Sequence, residues 1–138
     1  MRPFACDGVL IEHGKILLIK RGKRPELGKW AIPGGLIKED ETAEECLRRE
    51  MLEETGLSVE PIRFFGIYSN PSRDPRKTIS AVYLVKRKEQ STEPKPGSDA
   101  IALEWFDLEK LPELAFDHEE IIHDIRITLS RSLQGPQG

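Results

Sequence analysis

The sequence predicts an α/β fold in a single domain, and three features carry that expectation. Two apolar runs flank a His-Gly turn near the N-terminus, an amphipathic helix follows a Pro-Gly-Gly loop, and a second amphipathic helix lies near the end of the chain. At 138 residues the chain has one domain's length and can bury roughly two thirds of its unfolded surface. In order, Ala5 to Ile11 and Lys15 to Arg21 alternate or run apolar on either side of His13-Gly14, which reads as a hairpin. Arg21 to Lys29 is a basic loop, and Trp30 to Ile32 is a short strand entering Pro33-Gly34-Gly35. Asp40 or Thr42 can cap a helix running to about Thr55, with Gly56 as its stop. Ala43, Leu47 and Met51 recur every four residues with Cys46 beside them, an apolar stripe for a core.

Ile62 to Ser69 and Ile79 to Lys86 are rich in β-branched and aromatic residues and read as strands, as does Ile101 to Phe106. Lys88 to Ser98 is polar, holds Pro94, Pro96 and Gly97, and reads as a loop. His118 to about Leu133 places Ile121, Ile122, Ile125 and Leu129 at helical spacing, for the other face of the sheet, with Asp117 as N-cap and Glu120 completing a capping box. The domain is expected to span residues 1–133, with 134–138 as a disordered tail.

Charge and cysteine content narrow the function. The chain has 21 basic and 24 acidic residues and a net charge of −3, which argues against nucleic acid or a membrane as partner, since both need a positive face. A small anionic ligand held by a few local arginines is compatible with it. No signal core and no run of about twenty apolar residues is present. Cys6 and Cys46 are too few for a disulfide framework and read as reduced core residues, so the expected location is cytoplasmic.

The chemistry concentrates in residues 35–57. Gly35, Glu41, then Arg49-Glu50-Met51-Leu52-Glu53-Glu54-Thr55-Gly56-Leu57 set seven fixed types and two apolar positions at defined spacings. Ordinary composition would produce this on the order of once in 10⁹ windows. Glu50, Glu53 and Glu54, spaced i, i+3, i+4, project within roughly a third of a helix circumference. An acidic helix face is commonly just solvated surface. Here it follows a Gly-Gly loop with accessible carbonyls, and Arg49 can orient Glu50 or Glu41. Clustered carboxylate oxygens suit hard divalent cations, and Mg²⁺ takes one or two carboxylates plus water and substrate phosphate oxygens. The implied substrate is a phosphate ester or anhydride.

The segment from Gly35 to Leu57 resembles the defining box of the Nudix hydrolases, without a departure. The resemblance implies an α/β/α sandwich on a mixed sheet and hydrolysis of a nucleoside diphosphate linked to another moiety. It implies Glu53 and Glu54 as main metal ligands, the Gly34 carbonyl as a further ligand, Glu50 as ligand or general base, and Arg49 with Glu41 as the orienting pair. One to three Mg²⁺ ions, or Mn²⁺, would neutralise the phosphate oxygens and activate water.

The substrate clue is Tyr68-Ser69-Asn70-Pro71-Ser72-Arg73-Asp74-Pro75-Arg76, a stiffened loop displaying two guanidinium groups suited to phosphate. It is similar to a segment of microbial ADP-ribose pyrophosphatases, in which a proline also follows the box at about this distance; a Gly-His pair often follows there, where this chain has Lys77-Thr78. Pro71, Arg73 and Arg76 are therefore expected substrate contacts, joined by Arg21 and Arg24, which flank the box in sequence. Trp30, Phe4 and Phe64 are candidates to stack on a base, and Glu93 and Glu104 to assist catalysis from outside the box. The leading reading is hydrolysis of ADP-ribose to AMP and ribose 5-phosphate. The alternatives are a nucleoside triphosphate pyrophosphohydrolase that cleans the nucleotide pool and a non-catalytic nucleotide-binding module. A homodimer is compatible with the resemblance.

Overall fold

The structure, a computed structural model, describes residues 1–97 and 99–134. Strands β1 (Phe4–Glu12) and β2 (Lys15–Arg21) form the expected hairpin, with Ile11 opposite Ile16 and Glu12 opposite Lys15. His13 and Gly14 close it with φ of 52° and 75°, the positive values a two-residue hairpin turn requires. β2 then leaves β1 and pairs with β3 (Trp30–Ala31) on one side and β7 (Ala100–Asp107) on the other. The N-terminal half of β1 is instead flanked by β4 (Gly34–Leu36), with Cys6 opposite Gly35 and Asp7 opposite Gly34. On its other edge β1 runs parallel to β6 (Ile79–Arg87), which pairs antiparallel with the edge strand β5 (Val59–Tyr68). The sheet is mixed, as expected.

Two helices cover its faces. α1 (Ala43–Thr55) packs Cys46, Leu47 and Met51 against Cys6, Leu10 and Tyr83; α2 (His118–Gln134) packs Ile121, Ile122 and Ile125 against Val9, Leu18 and Val82. Val9 and Leu10 point to opposite helices, the period-2 alternation of a strand buried on both faces. Gly8 lets α1 approach: a Cβ there would sit 2.7 Å from Met51 Sδ and 3.2 Å from Leu47 Cδ1. This is the α/β/α sandwich. Among the described residues no helix is long and apolar enough to cross a membrane.

Several boundaries differ from expectation. Pro33-Gly34-Gly35 is not wholly loop, because Gly34–Leu36 pairs with β1. Thr42 rather than Asp40 caps α1, in a reciprocal capping box with Glu45, and Gly56 at φ 74° ends it. β5 begins at Val59, before Ile62, and tolerates Pro61 because it is an edge strand with irregular register there. Asp117 does not form the expected capping box, since Arg73 holds its carboxylate at 2.8 and 2.7 Å. α2 extends to Gln134, into the segment expected as a tail; residues 135–138 lie outside the described residues. Cys6 and Cys46 are both free and buried.

Candidate active site

The divergence of β1 from β2 opens a cleft of about 250 Å³, walled by β4 and α1 on one side and by the 73–78 segment, Phe116 and His118 on the other. The Thr42 cap and the Gly56 stop fix the ends of α1, and its apolar stripe fixes its rotation, so Glu50, Glu53 and Glu54 are presented where the cleft meets Gly34 and Gly35. Glycine at 35 is a steric requirement: a Cβ there would collide with the Glu50 carboxylate.

Arg49 ties this wall together. Its Nε and Nη2 donate to the two oxygens of Glu41, Nη1 donates to Glu50 Oε1 at 2.6 Å and Glu53 Oε2 at 3.2 Å, and Nη2 also reaches the Leu36 carbonyl at 3.1 Å. The guanidinium holds Glu41 down at about 2, so that carboxylate is ionised throughout the physiological range. The three carboxylates of the acidic face differ sharply. The Glu53 side chain is 56% exposed, Glu50 is half-buried, and Glu54 is buried, with an Oε2 that has no hydrogen-bond partner. Burial raises Glu50 despite Arg49, and burial with the Glu50 and Asp99 carboxylates pushes Glu54 up to about 7. An unpartnered buried carboxylate beside another is a poor arrangement for stability and a good one for a cation.

The opposite wall revises the expectations for the arginines. Arg21 lines the cleft; Nε donates to the Pro25 carbonyl at 2.8 Å, while Nη2 is buried without a partner. Burial and the neighbouring Arg76 lower its pKa. Arg76 also lines the cleft, bonded to both Asp74 oxygens. Both guanidinium carbons lie over the Phe116 ring, at 4.9 and 5.5 Å from its centroid.

Arg73 reaches the cleft but is not displayed to it: its side chain is 3% exposed and its nitrogens are spent on Asp117 and on the Thr78 carbonyl at 3.0 Å. Its role is to pin the segment before β6 to the start of α2. Pro71 is exposed, in a short 3-10 turn, and lies outside the cleft, as does Arg24, which lines a separate shallow hollow with Pro25, Leu27 and Pro75.

The expected stacking residues also lie elsewhere. Trp30 packs edge-on against Phe106 at 4.7 Å, Phe64 against Tyr83 at 5.4 Å, and Phe4 against the α1 core. Glu93 and Glu104 are exposed and do not line the cleft, whereas Asp99 does, paired with Lys23 at 3.0 Å. Sequence reasoning missed Asp7, Lys23, Asp99, Phe116 and His118 as cleft residues. Asp7 left a visible signal, a lone carboxylate inside the apolar run Ala5 to Ile11; Lys23, Asp99 and Phe116 come from loops and His118 from the first position of α2, all placed at the cleft by the tertiary fold.

The NUDIX domain family model matches residues 2–125. The chain belongs to the Nudix family. It is 48% identical over 121 residues to the ADP-ribose pyrophosphatase of Methanocaldococcus jannaschii, covering 87% of this chain and 70% of that protein. The solved NUDIX domain of Shewanella oneidensis NrtR, complexed with ADP ribose, matches with TM-score 0.77 and 28% identity over 94% of this chain and 89% of that one. A bifunctional NMN adenylyltransferase/ADP ribose pyrophosphatase from Francisella tularensis, complexed with AMP and a Mn ion, gives TM-score 0.81 at 24% identity and supports the fold. There the match covers 93% of this chain but 42% of the other, so this Nudix domain corresponds to under half of that protein. The protein is a Nudix hydrolase.

Proposed function

We propose that this Nudix hydrolase cleaves the diphosphate linkage of ADP-ribose, releasing AMP and ribose 5-phosphate, with Mg²⁺ as its metal. The observation that carries the reading is one cleft lined by both Glu54 and Arg21, each with a buried polar atom that has no hydrogen-bond partner, a carboxylate suited to a cation and a guanidinium suited to phosphate oxygens. The similarity to the Methanocaldococcus enzyme supports ADP-ribose as the substrate.

The donor set fits a hard divalent cation. Arg49 occupies Oε1 of Glu50 and Oε2 of Glu53, which leaves the second oxygen of each without a hydrogen-bonded side chain. Among the described residues no three His, Cys, Asp or Glu side chains form a ready-made cage; Mg²⁺ takes one or two carboxylates and fills the rest of its shell with water and phosphate oxygens. Glu53, Glu54 and the Gly34 carbonyl would hold the metal, which leaves the second oxygen of Glu50 for the role of base. When bound, it neutralises the diphosphate and lowers the pKa of water at the site. Glu50, raised by burial and steered by Arg49, takes the proton from the attacking water. Glu41 keeps Arg49 in place for that task. Arg21 and Arg76 bind the phosphate oxygens, and departure of ribose 5-phosphate or AMP completes the displacement.

The test is turnover with Mg²⁺ on ADP-ribose, other nucleoside diphosphate sugars, dinucleoside polyphosphates and nucleoside triphosphates, with products identified. AMP and ribose 5-phosphate at far higher kcat/KM than for any other substrate is the expected result. Preference for a triphosphate with pyrophosphate release would overturn it.

A further inference from the structure

The last turn of α1 is built against its own electrostatics. It carries Glu53 and Glu54 where the terminal carbonyls already make the helix dipole negative, and it holds no basic residue. Gly56 N–H closes the helix on the Leu52 carbonyl at 2.9 Å. The carbonyls that follow have no further turn of helix to supply donors.

Donors arrive instead from the loop before β7. Lys95 N–H donates to the Thr55 carbonyl at 2.7 Å, and Gly97 N–H donates to the Glu54 carbonyl at 3.1 Å. Residues 95–97 therefore lie as a strap across the end of the helix. The fit is close, because a Cβ on Gly97 would overlap the Glu53 carbonyl oxygen, stand 2.8 Å from the Glu53 carbonyl carbon and 3.2 Å from the Glu54 Cα. All three are backbone atoms, so no change of rotamer relieves the overlap. The chain then reaches the opposite wall of the cleft. The Asp99 carbonyl accepts the Gly22 N–H at 3.0 Å and its carboxylate pairs with Lys23 at 3.0 Å, next to Arg21 in the chain.

This contact bears on the peptide units that carry two of the acidic side chains of the cleft. Widening the contact of that Cβ with the Glu53 carbon from 2.8 to 3.4 Å, the start of ordinary van der Waals distance, parts strap and helix by about 0.6 Å. Functional constellations must be held within ~0.5 Å. We propose that the 95–97 strap positions the carboxylates of α1 for a cation, and that Gly97 is the positioning residue that fixes where Glu53 and Glu54 stand. The proposal rests on the reading of Glu53 and Glu54 as metal ligands and names what holds their end of the helix in place.

The experiment is titration of substrate-free protein with Mn²⁺, which oxygen ligands accept as they do Mg²⁺, with free ion counted by electron paramagnetic resonance and the Tm of each metal-free protein recorded alongside. The proteins are the wild type, Gly97→Ala, Lys95→Pro, Gly14→Ala and Glu54→Gln. Gly14 is the control for lost stability, since it sits in the β1–β2 turn at φ 75° with nothing within 4 Å of an added Cβ. Gly97→Ala weakens Mn²⁺ by about tenfold or more, as loss of the groups that orient metal ligands does, whereas Gly14→Ala lowers Tm and changes the affinity by less than about twofold. Lys95→Pro deletes the N–H to Thr55 and adds no atom to Gly97; it weakens Mn²⁺ in the same direction and carries the test if Gly97→Ala does not fold. Wild-type affinity in a folded Gly97→Ala or Lys95→Pro, or equal weakening in Gly14→Ala, would overturn the proposal. Wild-type affinity in Glu54→Gln would overturn the metal assignment and the proposal together, while a weakened Glu54→Gln beside an unchanged Gly97→Ala would overturn the proposal alone.

Discussion

Arg73→Ala separates a structural arginine from a phosphate-reading one. The guanidinium makes two bonds to Asp117, at 2.8 and 2.7 Å, and one to the Thr78 carbonyl at 3.0 Å, with a side chain only 3% exposed. Truncation strands the Asp117 carboxylate, whose own side chain is 15% exposed. Removing one partner of such a pair costs roughly 3–5 kcal/mol, more than the pair's net worth, because the remaining charge stays desolvated. For 138 residues the unfolding entropy is about 0.3 kcal/mol/K, so each kcal/mol moves Tm by about 3 °C and the expected drop is about 10–15 °C. Differential scanning calorimetry of wild type and variant at pH 7 measures it, with KM for ADP-ribose taken well below both transitions. A Tm within about 3 °C of wild type, combined with a raised KM, would refute the structural assignment and return Arg73 to the phosphate.

Further outcomes follow from the same geometry. Glu54→Gln should cut Mg²⁺-dependent turnover about 100-fold or more while leaving Tm unchanged or higher, because it removes an unpartnered buried charge; a large Tm loss would show that the carboxylate supports the fold. Gly35→Ala should keep the fold and lower kcat, since the new methyl displaces the Glu50 carboxylate; unchanged kcat would show that Glu50 placement is not critical. Acid stability should depend on Asp7. Burial holds His118 at about 3, with Nδ1 accepting the Ile32 N–H at 3.0 Å, so the unfolded chain binds the extra proton and stability is lost as pH falls below about 6.5. Asp7, pushed up to about 7 by burial, acts oppositely: its contribution is full below the unfolded value near 3.8 and is lost as pH rises through 7. The two offset each other in the wild type. Asp7→Asn removes one of them and should lose up to ~3 kcal/mol between pH 6.5 and 4.5 relative to wild type, read from urea midpoints at the two values; parallel curves would contradict this.

The features legible in the sequence were those with local causes. The α1 helix, its apolar stripe and its Gly56 stop follow from spacing and backbone preference, and Arg49's bonds to Glu41 and Glu50 agree with their places in the box. The 71–76 segment was harder. Its arginines read as a displayed pair, but Arg73 found Asp117 from the start of a helix that is distant in sequence, while Arg76 stayed at the cleft with Asp74. Stacking candidates failed for a related reason: Trp30 and Phe64 had apolar surfaces to cover, whereas Phe116, on a loop, was brought over by the return of the chain from β7 to α2. Asp7 was readable as an anomaly, though its neighbours became known only once β4 and β6 were paired beside it.

The most direct single measurement is the cleavage of ADP-ribose in Mg²⁺ by wild type and Glu54→Gln side by side, with AMP and ribose 5-phosphate resolved by chromatography. The account predicts equimolar AMP and ribose 5-phosphate from the wild type and almost none from the variant. Inert ADP-ribose alongside rapid pyrophosphate release from a nucleoside triphosphate, or full activity in the variant, would contradict it.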